Sequence, residues 1–370
     1  MNRLKKSFLV AMFVALALGG CNEKQESDTS VKKVAVIAPM TGPASVYGEW
    51  IQHGTEMATI DGATAVKFDL LDSMGEPKTA ATLAQKVLAD DSTIALWVVT
   101  SGDMMALRDV ATQSGLPLIT STATSPDITD GRKGIFRTII NSAQETEALV
   151  KYTTEKLKPK KVAILYINDA GGKASSMQFT HFFEQNKIVV VYTDSYEKKA
   201  LDIRTLAAKT LAKKPDAVVI TGYSSALGAV LQSIREQSPN IPILCNQGLE
   251  SPENLSLPPQ VLTEVYYSIA YVDSTIIPEH FGNGFNERYG KSPGLYEITA
   301  YDTATLISQA VAGGAENREL LVDALSRSDF KGVNGDYRFS SKGNVIKSVA
   351  INHIVGGKIS LAELYKPAGE

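Results

Sequence analysis

Five small hydroxyl side chains follow directly after an apolar run in the stretch LPLITSTATSPDIT, residues 116–129. The apolar run favours a buried strand, and the residues that follow it are Thr120, Ser121, Thr122, Thr124 and Ser125. Hydroxyls and outward-turned backbone N–H groups at a strand end form a nest for an anionic group such as a carboxylate. For any single hydroxyl the alternative is helix capping or turn closure, but the cluster predicts an anion-binding loop.

A second hydroxyl stands at the end of the neighbouring predicted strand. Ser101 and Gly102 lie between the apolar run IALWVV, residues 94–99, and a predicted helix over about 102–114. The dipole of a helix favours a negative group at its N-terminus. Because open α/β sheets bind ligands beyond the carboxyl ends of their strands, we expect Ser101 and Thr124 to face one shared cavity.

The motifs of common enzyme families are missing from the sequence. The four histidines are scattered, and none lies beside another histidine, a cysteine or a paired carboxylate; they are His53, His181, His280 and His353. The chain has no zinc-protease, P-loop or dinucleotide motif. The segment GYSSALG, residues 222–228, does not have the spacing of a nucleophile elbow. We therefore expect a binding protein with no enzymatic activity, no cofactor and no metal.

The elements that must position these side chains alternate between strand-like and helix-like segments. One series begins at Lys32 and a second follows IFRTIINS, residues 135–142. Each series is typical of a parallel sheet with helices on both faces, and hairpin signals stand at 342–343 and 356–357. A chain of 370 residues suits two lobes, so we predict an α/β fold with two doubly wound sheets. The formal net charge of -3, with no basic stripe, gives no indication of a nucleic-acid partner.

The N-terminal segment is typical of an export signal. A basic stretch, MNRLKK, precedes a short apolar run, and LGGC closes on Cys21. LGGC resembles the lipobox of bacterial lipoproteins, which implies cleavage after residue 20 and a lipid on Cys21; an ordinary cleavage site beside a chance cysteine is the alternative. Residues 21–31 are polar and predict a flexible tether. Cys245 is then the single remaining cysteine, so no intrachain disulfide is expected.

Several ordered segments resemble the type I periplasmic substrate-binding proteins of the branched-chain amino-acid (Leu/Ile/Val) group, which serve ABC importers. The segments are VAVIAPMTGPASVYGEWIQHGTEMA (34–58), TSGDMMALRDVATQSGLPLITSTATSPDIT (100–129), IFRT (135–138), VAILYINDAGGKA (162–174), LCNQGLESPE (244–253) and EITAYDTA (297–304). The resemblance implies two Rossmann-like lobes joined by three crossover segments. Lobe 1 would comprise 32–141 and 273–333, and lobe 2 would comprise 142–272 and 334–370.

The resemblance also implies which residues contact the ligand. A carboxylate would be held by Ser101, by Thr122 through its backbone, and by Thr124. Aromatic walls suit an apolar side chain and can also lie over an ammonium. They fall on Tyr47 with Trp50 as a nearby alternative, on Tyr223, and on Tyr296.

Two departures from the family pattern concern the ligand's other end. Amino-acid binders of the group commonly place a carboxylate in the loop at CNQG, where this chain has the neutral Gln247; Glu250 is a possible substitute. A tyrosine often found in the second-lobe turn is replaced by about Gly171, which enlarges the pocket. A buried ammonium without a charge partner is costly, so the sequence leaves open whether the ligand carries one.

The expected function is that of a membrane-anchored extracytoplasmic binding protein. It would capture a branched-chain or other aliphatic amino acid, or a related small carboxylate, by hinge closure and deliver it to an ABC permease. The alternative is a ligand sensor of the same fold for an aromatic acid or amide, which feeds a receptor instead. A lipid-anchored enzyme or envelope scaffold is a third, different class.

Overall fold

The computed structural model describes residues 31–199, 203–271 and 279–366. The predicted signal peptide, Cys21 and the tether up to residue 30 lie outside these ranges. None of the helices within them is long and apolar enough to cross a membrane.

The first sheet has five parallel strands in the order β2-β1-β3-β4-β5. Its strands are β1 (Lys33–Ala38), β2 (Lys67–Asp72), β3 (Thr93–Val98), β4 (Leu118–Thr120) and β5 (Ile135–Arg137). They alternate with the helices α1 (Ser45–Ile60), α2 (Pro77–Leu88) and α3 (Ser101–Ser114). One apolar cluster joins α1 to one face of the sheet and another joins α2 and α3 to the opposite face. The central strands are buried on both sides, as their continuous apolar sequences predict.

The second sheet has seven strands in the order β14-β13-β10-β9-β8-β6-β7. Its parallel strands are β6 (Lys161–Ile167), β7 (Val189–Tyr196), β8 (Ala217–Thr221), β9 (Ile243–Cys245) and β10 (Val265–Ala270). The antiparallel strands β13 (Val349–Val355) and β14 (Lys358–Tyr365) complete it. Its helices are α4 (Ser142–Tyr152), α5 (Ala170–Gln185), α6 (Ile203–Leu211), α7 (Ser224–Gln237) and α8 (Pro252–Leu255).

Elements after β10 return to the first sheet. These are the helices α9 (Glu279–Tyr289), α10 (Leu295–Ala312) and α11 (Arg318–Ser326) and the short pair β11 (Phe330–Gly332) and β12 (Gly335–Tyr337). The apolar side chains of α9, α10 and α11 share a cluster with α1 and β1. β12 pairs with β11, and Asn344 bridges to Arg137 of β5. Residues 335–344 therefore lie beside the first sheet, although the expected boundary assigns residues from 334 onward to lobe 2; the lobe boundaries stay a prediction.

The predicted α/β fold class is confirmed, and so is the hairpin over Gly356 and Gly357, which joins β13 to β14. Both glycines have positive φ, +55° and +78°, as this tight turn requires. Helix α10 begins at Leu295. The Glu297 carboxylate accepts the Gly294 N–H at 3.0 Å, and this capping contact stabilises the first turn of the helix.

Candidate ligand-binding site

A cavity of about 260 Å³ lies beyond the carboxyl ends of strands from both sheets. Residues after β3 and β4 line one side, among them Ser101 and Thr124. Residues after β6, β8 and β9 line the other side, among them Asp169, Tyr223 and Gln247. The two hydroxyl-rich strand ends that the sequence singles out therefore share one cavity, as expected from the strand-end rule for α/β sheets.

The hydroxyl loop, residues 120–125 at the end of β4, is held in shape mostly by its own side chains. Thr120 Oγ1 accepts the N–H of Ala123 at 3.1 Å, and Ser121 Oγ accepts the indole N–H of Trp97 at 3.1 Å. Thr122 Oγ1 donates to the carbonyl of Val99 at 2.5 Å. Thr120 thus closes the turn and Ser121 ties it to β3, and neither lines the cavity, whereas Thr122 and Thr124 line it.

The first turn of α3 is tied to the same loop. Thr100 caps the helix, since its hydroxyl accepts the N–H of Asp103 at 3.1 Å. Ser101 Oγ accepts the N–H of Ser125 at 3.4 Å, which joins the helix start to the hydroxyl loop. The first N–H groups of a helix have no partner within the helix. This wall therefore combines hydroxyls with the positive end of a helix dipole, a combination suited to a carboxylate.

A buried arginine supports the hydroxyl loop from behind. Arg137 is 0% exposed, and its guanidinium donates to the Ser125 carbonyl at 2.7 Å. Burial lowers the pKa of Arg137 to about 9, so the group remains charged at neutral pH. Its positive charge adds to the potential that the loop offers to an anion.

Three tyrosines from different elements meet at the cavity. Tyr47 of α1 and Tyr223, the residue before α7, pack edge to face with ring centroids 5.1 Å apart. Tyr296 of α10 lies 5.6 Å from Tyr47 by ring centroids. Trp50 stacks on Tyr296 at 4.6 Å and is 2% exposed, so it packs behind the tyrosines and is not part of the cavity wall. These aromatic contacts join the helices of the first sheet to the second sheet around the cavity.

A carboxyl group that sequence reasoning missed, that of Glu145, lines the second-sheet side of the cavity. Glu145 is 2% exposed, and its Oε1 accepts the backbone N–H of Gln247. Burial raises its pKa from the ordinary 4.5 to about 8, against the opposing effect of that N–H and of the Ser268 hydroxyl. Ser142, three residues earlier on the same helix face, also lines the cavity, and its Oγ is buried without a partner.

Gln247 presents an unsatisfied amide at the same place. Its side chain is 0% exposed, and neither Oε1 nor Nε2 has a hydrogen-bond partner in the described part of the chain. A buried amide without partners costs free energy. Since Gln247 lines the cavity, a ligand that answers this amide would recover that cost.

A second missed carboxylate, that of Asp169, is already engaged. Asp169 caps α5 by accepting the N–H of Gly172 at 2.8 Å, and its other oxygen accepts the Tyr223 hydroxyl at 2.5 Å. Lys198 lies with its Nζ 3.9 Å from that second oxygen. Lys198 is the one lysine or arginine among the described residues that line the cavity, and its charge is directed at Asp169.

Most of the expected contact residues line the cavity, and two lie elsewhere. Those on the wall are Tyr47, Ser101, Thr122, Thr124, Tyr223, Gln247 and Tyr296. Trp50 lies behind the tyrosines. Glu250 accepts a hydrogen bond from the hydroxyl of Tyr267 at 2.6 Å and is not on the wall. Among the described residues, no group of three or more His, Cys, Asp or Glu side chains is placed to hold a metal ion.

A family profile described as "Periplasmic binding protein" matches residues 32–358. The chain belongs to the periplasmic binding protein family. This membership confirms the predicted resemblance to periplasmic substrate-binding proteins, and it agrees with the expected location outside the cytoplasm.

Curated relatives cover most of the chain at low identity. The Leu/Ile/Val-binding protein BraC3 of Rhizobium johnstonii is 27% identical over 304 residues, which are 79% of this chain and 82% of the relative. A leucine-, isoleucine-, valine-, threonine- and alanine-binding protein of Pseudomonas aeruginosa is 24% identical over 358 residues, 91% of this chain and 93% of the relative. The relatives' names describe amino-acid binding.

Solved structures share the fold. The leucine-binding protein LivK of Thermotoga maritima superposes with a TM-score of 0.82 at 23% identity, covering 91% of this chain and 99% of that one. A solute-binding protein of an ABC transporter from R. palustris, solved in complex with benzoate, gives a TM-score of 0.82 at 21% identity, covering 92% and 98%. At such identities the likeness establishes the fold alone, and the two ligands belong to those proteins.

Proposed function

We propose that the protein is the lipid-anchored solute-binding component of an ABC importer, and that it captures a small carboxylate-bearing molecule between two lobes. A branched-chain or other aliphatic amino acid is the favoured ligand. The observation that carries the proposal is the cavity whose wall joins the hydroxyl loop and the start of α3 to groups beyond the second sheet. The relatives named for leucine, isoleucine and valine binding support it.

The carboxylate of the ligand binds at the first-sheet wall. Ser101, Thr124 and the backbone around Thr122 supply the donors, and the helix dipole of α3 and the charge of Arg137 favour the negative group. The apolar part of the ligand then lies against Tyr47, Tyr223 and Tyr296.

Closure follows from the position of the ligand between the two walls. A ligand held by one lobe gains further contacts only when the other lobe reaches it, so it stabilises the closed arrangement more than the open one. Small-angle scattering of the full-length protein checks this, since the particle becomes more compact when saturated with ligand. No compaction at saturation contradicts hinge closure.

The anchor places the binding protein near its permease. A lipid on Cys21 and the polar tether over 21–31 keep the body at the membrane surface, which raises its local concentration at a membrane partner. Intact mass and detergent partitioning test this: the lipid adds mass and moves the protein into detergent, and both effects disappear in Cys21→Ala.

Isothermal titration of the purified full-length protein tests the ligand class. The panel contains leucine, isoleucine, valine, phenylalanine and benzoate. Binding that weakens roughly 10-fold or more in Thr124→Val, through loss of a hydrogen bond to a charged group, supports the carboxylate site. Absence of binding across the whole panel contradicts the proposal.

A second candidate is a sensor of the same fold for an aromatic acid or amide. The observation that favours it is the wall of three tyrosines next to the unpartnered amide of Gln247. Two results together would favour the sensor. One is tighter binding of benzoate than of the aliphatic amino acids, and the other is no transport in vesicles that carry the proposed ABC permease.

A further inference from the structure

The cavity has a group of oxygen acceptors that the proposed carboxylate does not use. Glu145 and Ser142 lie one helical turn apart on α4 and both line the cavity. Gln247 is held beside them, because its backbone N–H donates to Glu145 Oε1. The Ser142 hydroxyl and the Gln247 amide are buried without partners.

The charge balance of the wall leaves Glu145 without a cation. Among the described residues that line the cavity, Lys198 supplies the positive side chain and Asp169 and Glu145 supply the carboxyl groups. Lys198 lies 3.9 Å from Asp169, which also receives the Tyr223 hydroxyl and the Gly172 N–H. Arg137 acts behind the hydroxyl loop, through the Ser125 carbonyl.

Resting on the proposed function, we propose that Glu145, with Ser142 and Gln247, forms a cation site for an ammonium group of the ligand, and that capture of the ammonium displaces a proton from Glu145. An ammonium has three N–H donors, and these three side chains offer an oxygen each. The charge partner that the loop at Gln247 lacks therefore comes from a different element, helix α4.

We expect Glu145 to carry a proton when the cavity is empty, because an ionised carboxylate without a cation is costly in this buried position. Burial raises the pKa of Glu145 to about 8, so the empty cavity holds it mostly as the neutral acid at pH 7. The groups that face it are the Gln247 N–H, the Ser268 hydroxyl of β10 and Tyr296 of α10, whose own pKa is raised by burial and by Glu145. A cationic nitrogen favours the ionised form, and the displaced proton leaves to solvent.

The proposal separates two classes of ligand. A zwitterion places its carboxylate at the hydroxyl loop and its ammonium at Glu145. A plain carboxylic acid leaves the Ser142 hydroxyl and the Gln247 amide without partners, a cost that does not fall on the zwitterion. Matched pairs that differ only in the ammonium test this: leucine with isocaproate, valine with isovalerate, and phenylalanine with hydrocinnamate.

The experiment is isothermal titration of the full-length protein at pH 7 in buffers of different ionisation enthalpy. We expect the amino acid of at least one pair to bind, its partner to bind roughly 100-fold more weakly, and close to one proton to be released per ligand bound. Glu145→Gln loses the proton release and most of the discrimination. Glu147→Gln, an exposed carboxylate on the same helix, leaves both unchanged.

The outcomes separate this inference from the proposed function. Equal binding within every pair, or amino-acid binding without proton release, overturns the cation site while carboxylate capture stands. Weaker binding in Glu145→Gln with no proton release in the parent protein also overturns it, since Glu145 then acts as a neutral hydrogen-bonding group. No binding by any of the six probes overturns both.

Discussion

Tyr47 and Tyr223 pack edge to face with ring centroids 5.1 Å apart, although the two residues are 176 positions apart in the sequence. Tyr47 belongs to a helix of the first sheet, and Tyr223 follows β8 of the second. Their contact shows that the two sides of the cavity meet in this structure. A ligand that binds between them is therefore in contact with both sides at once.

Tyr223 contributes through its ring and through its hydroxyl, and two variants separate these effects. Tyr223→Phe keeps the ring against Tyr47 and removes the hydrogen bond to Asp169, so we expect affinity to fall only a few-fold. Tyr223→Ala also removes the aromatic contact, worth about 0.5–1.5 kcal/mol beyond buried area, and weakens binding further. Titration with the tightest ligand of the panel measures both. Equal affinities in the two variants would show that the ring takes no part in closure.

Thr120 and Thr124 are chemically identical residues of one loop with different roles. The buried Thr120 hydroxyl accepts the Ala123 N–H, so Thr120→Val leaves that donor unsatisfied and lowers the free energy of unfolding by about 1–3 kcal/mol. Thr124 lines the cavity, so Thr124→Val lowers affinity with little change in stability. Urea denaturation and titration of both variants check the difference. The opposite result, in which Thr120→Val lowers affinity and Thr124→Val lowers stability, would mean that the ligand contacts Thr120 and not Thr124.

Two adjacent glycines at the start of α5 differ in the space around them. A Cβ on Gly172 would lie 2.0 Å from the Ile167 carbonyl oxygen, whereas a Cβ on Gly171 would meet only ordinary contacts, such as Ser101 Oγ at 3.8 Å. We expect Gly172→Ala to lower the free energy of unfolding by about 1–3 kcal/mol and Gly171→Ala to stay within about 0.5 kcal/mol of the parent. Thermal unfolding measures both changes. Similar stabilities would mean that α5 shifts at little cost.

Stability of the unliganded protein should fall as the pH rises from about 4.5 to 8. The folded protein holds a proton on Glu145 up to about pH 8, whereas an unfolded chain releases it near 4.5. The folded state thus binds more protons in this range, and its stability falls by up to about 1.4 kcal/mol per pH unit. Asp302, with a pKa raised by burial to about 6, titrates in the same range, so the comparison is with Glu145→Gln.

In Glu145→Gln the remaining pH dependence comes from other groups, and the slope between pH 5 and 8 should be smaller than in the parent. Urea denaturation at several pH values gives both curves. Parallel curves would mean that Glu145 is ionised in the folded, empty protein, and no proton would then be displaced when a cation binds.

The sequence was a good guide to the elements and to one wall of the site. Continuous apolar strands and strand-end hydroxyls are local patterns, so they predicted the α/β fold and the position of Ser101 and Thr124 at one cavity. The role of each hydroxyl could not be predicted in the same way, because it depends on how the loop folds. Thr120 closes the turn because the backbone at Ala123 folds back towards its hydroxyl, and the composition of the loop does not reveal this.

The opposite wall was harder to predict, because it depends on contacts between distant elements. Glu145 meets Gln247 across 102 residues, and in the sequence it looks like one more charge on an amphipathic helix. Its position three residues after Ser142, at the start of a helix that follows a strand end, was the available signal. Trp50 and Glu250 were expected at the ligand from the resemblance, yet tertiary packing directs them to Tyr296 and Tyr267.

A crystal structure of the protein with the ligand it retains through purification, identified by native mass spectrometry, tests the central claim most directly. We predict a carboxylate within hydrogen-bond distance of Ser101 Oγ and the Thr124 region, at the start of α3, with the rest of the molecule between the tyrosines. A ligand bound away from the cavity, or one whose carboxylate turns from the hydroxyl loop towards Glu145, would contradict it.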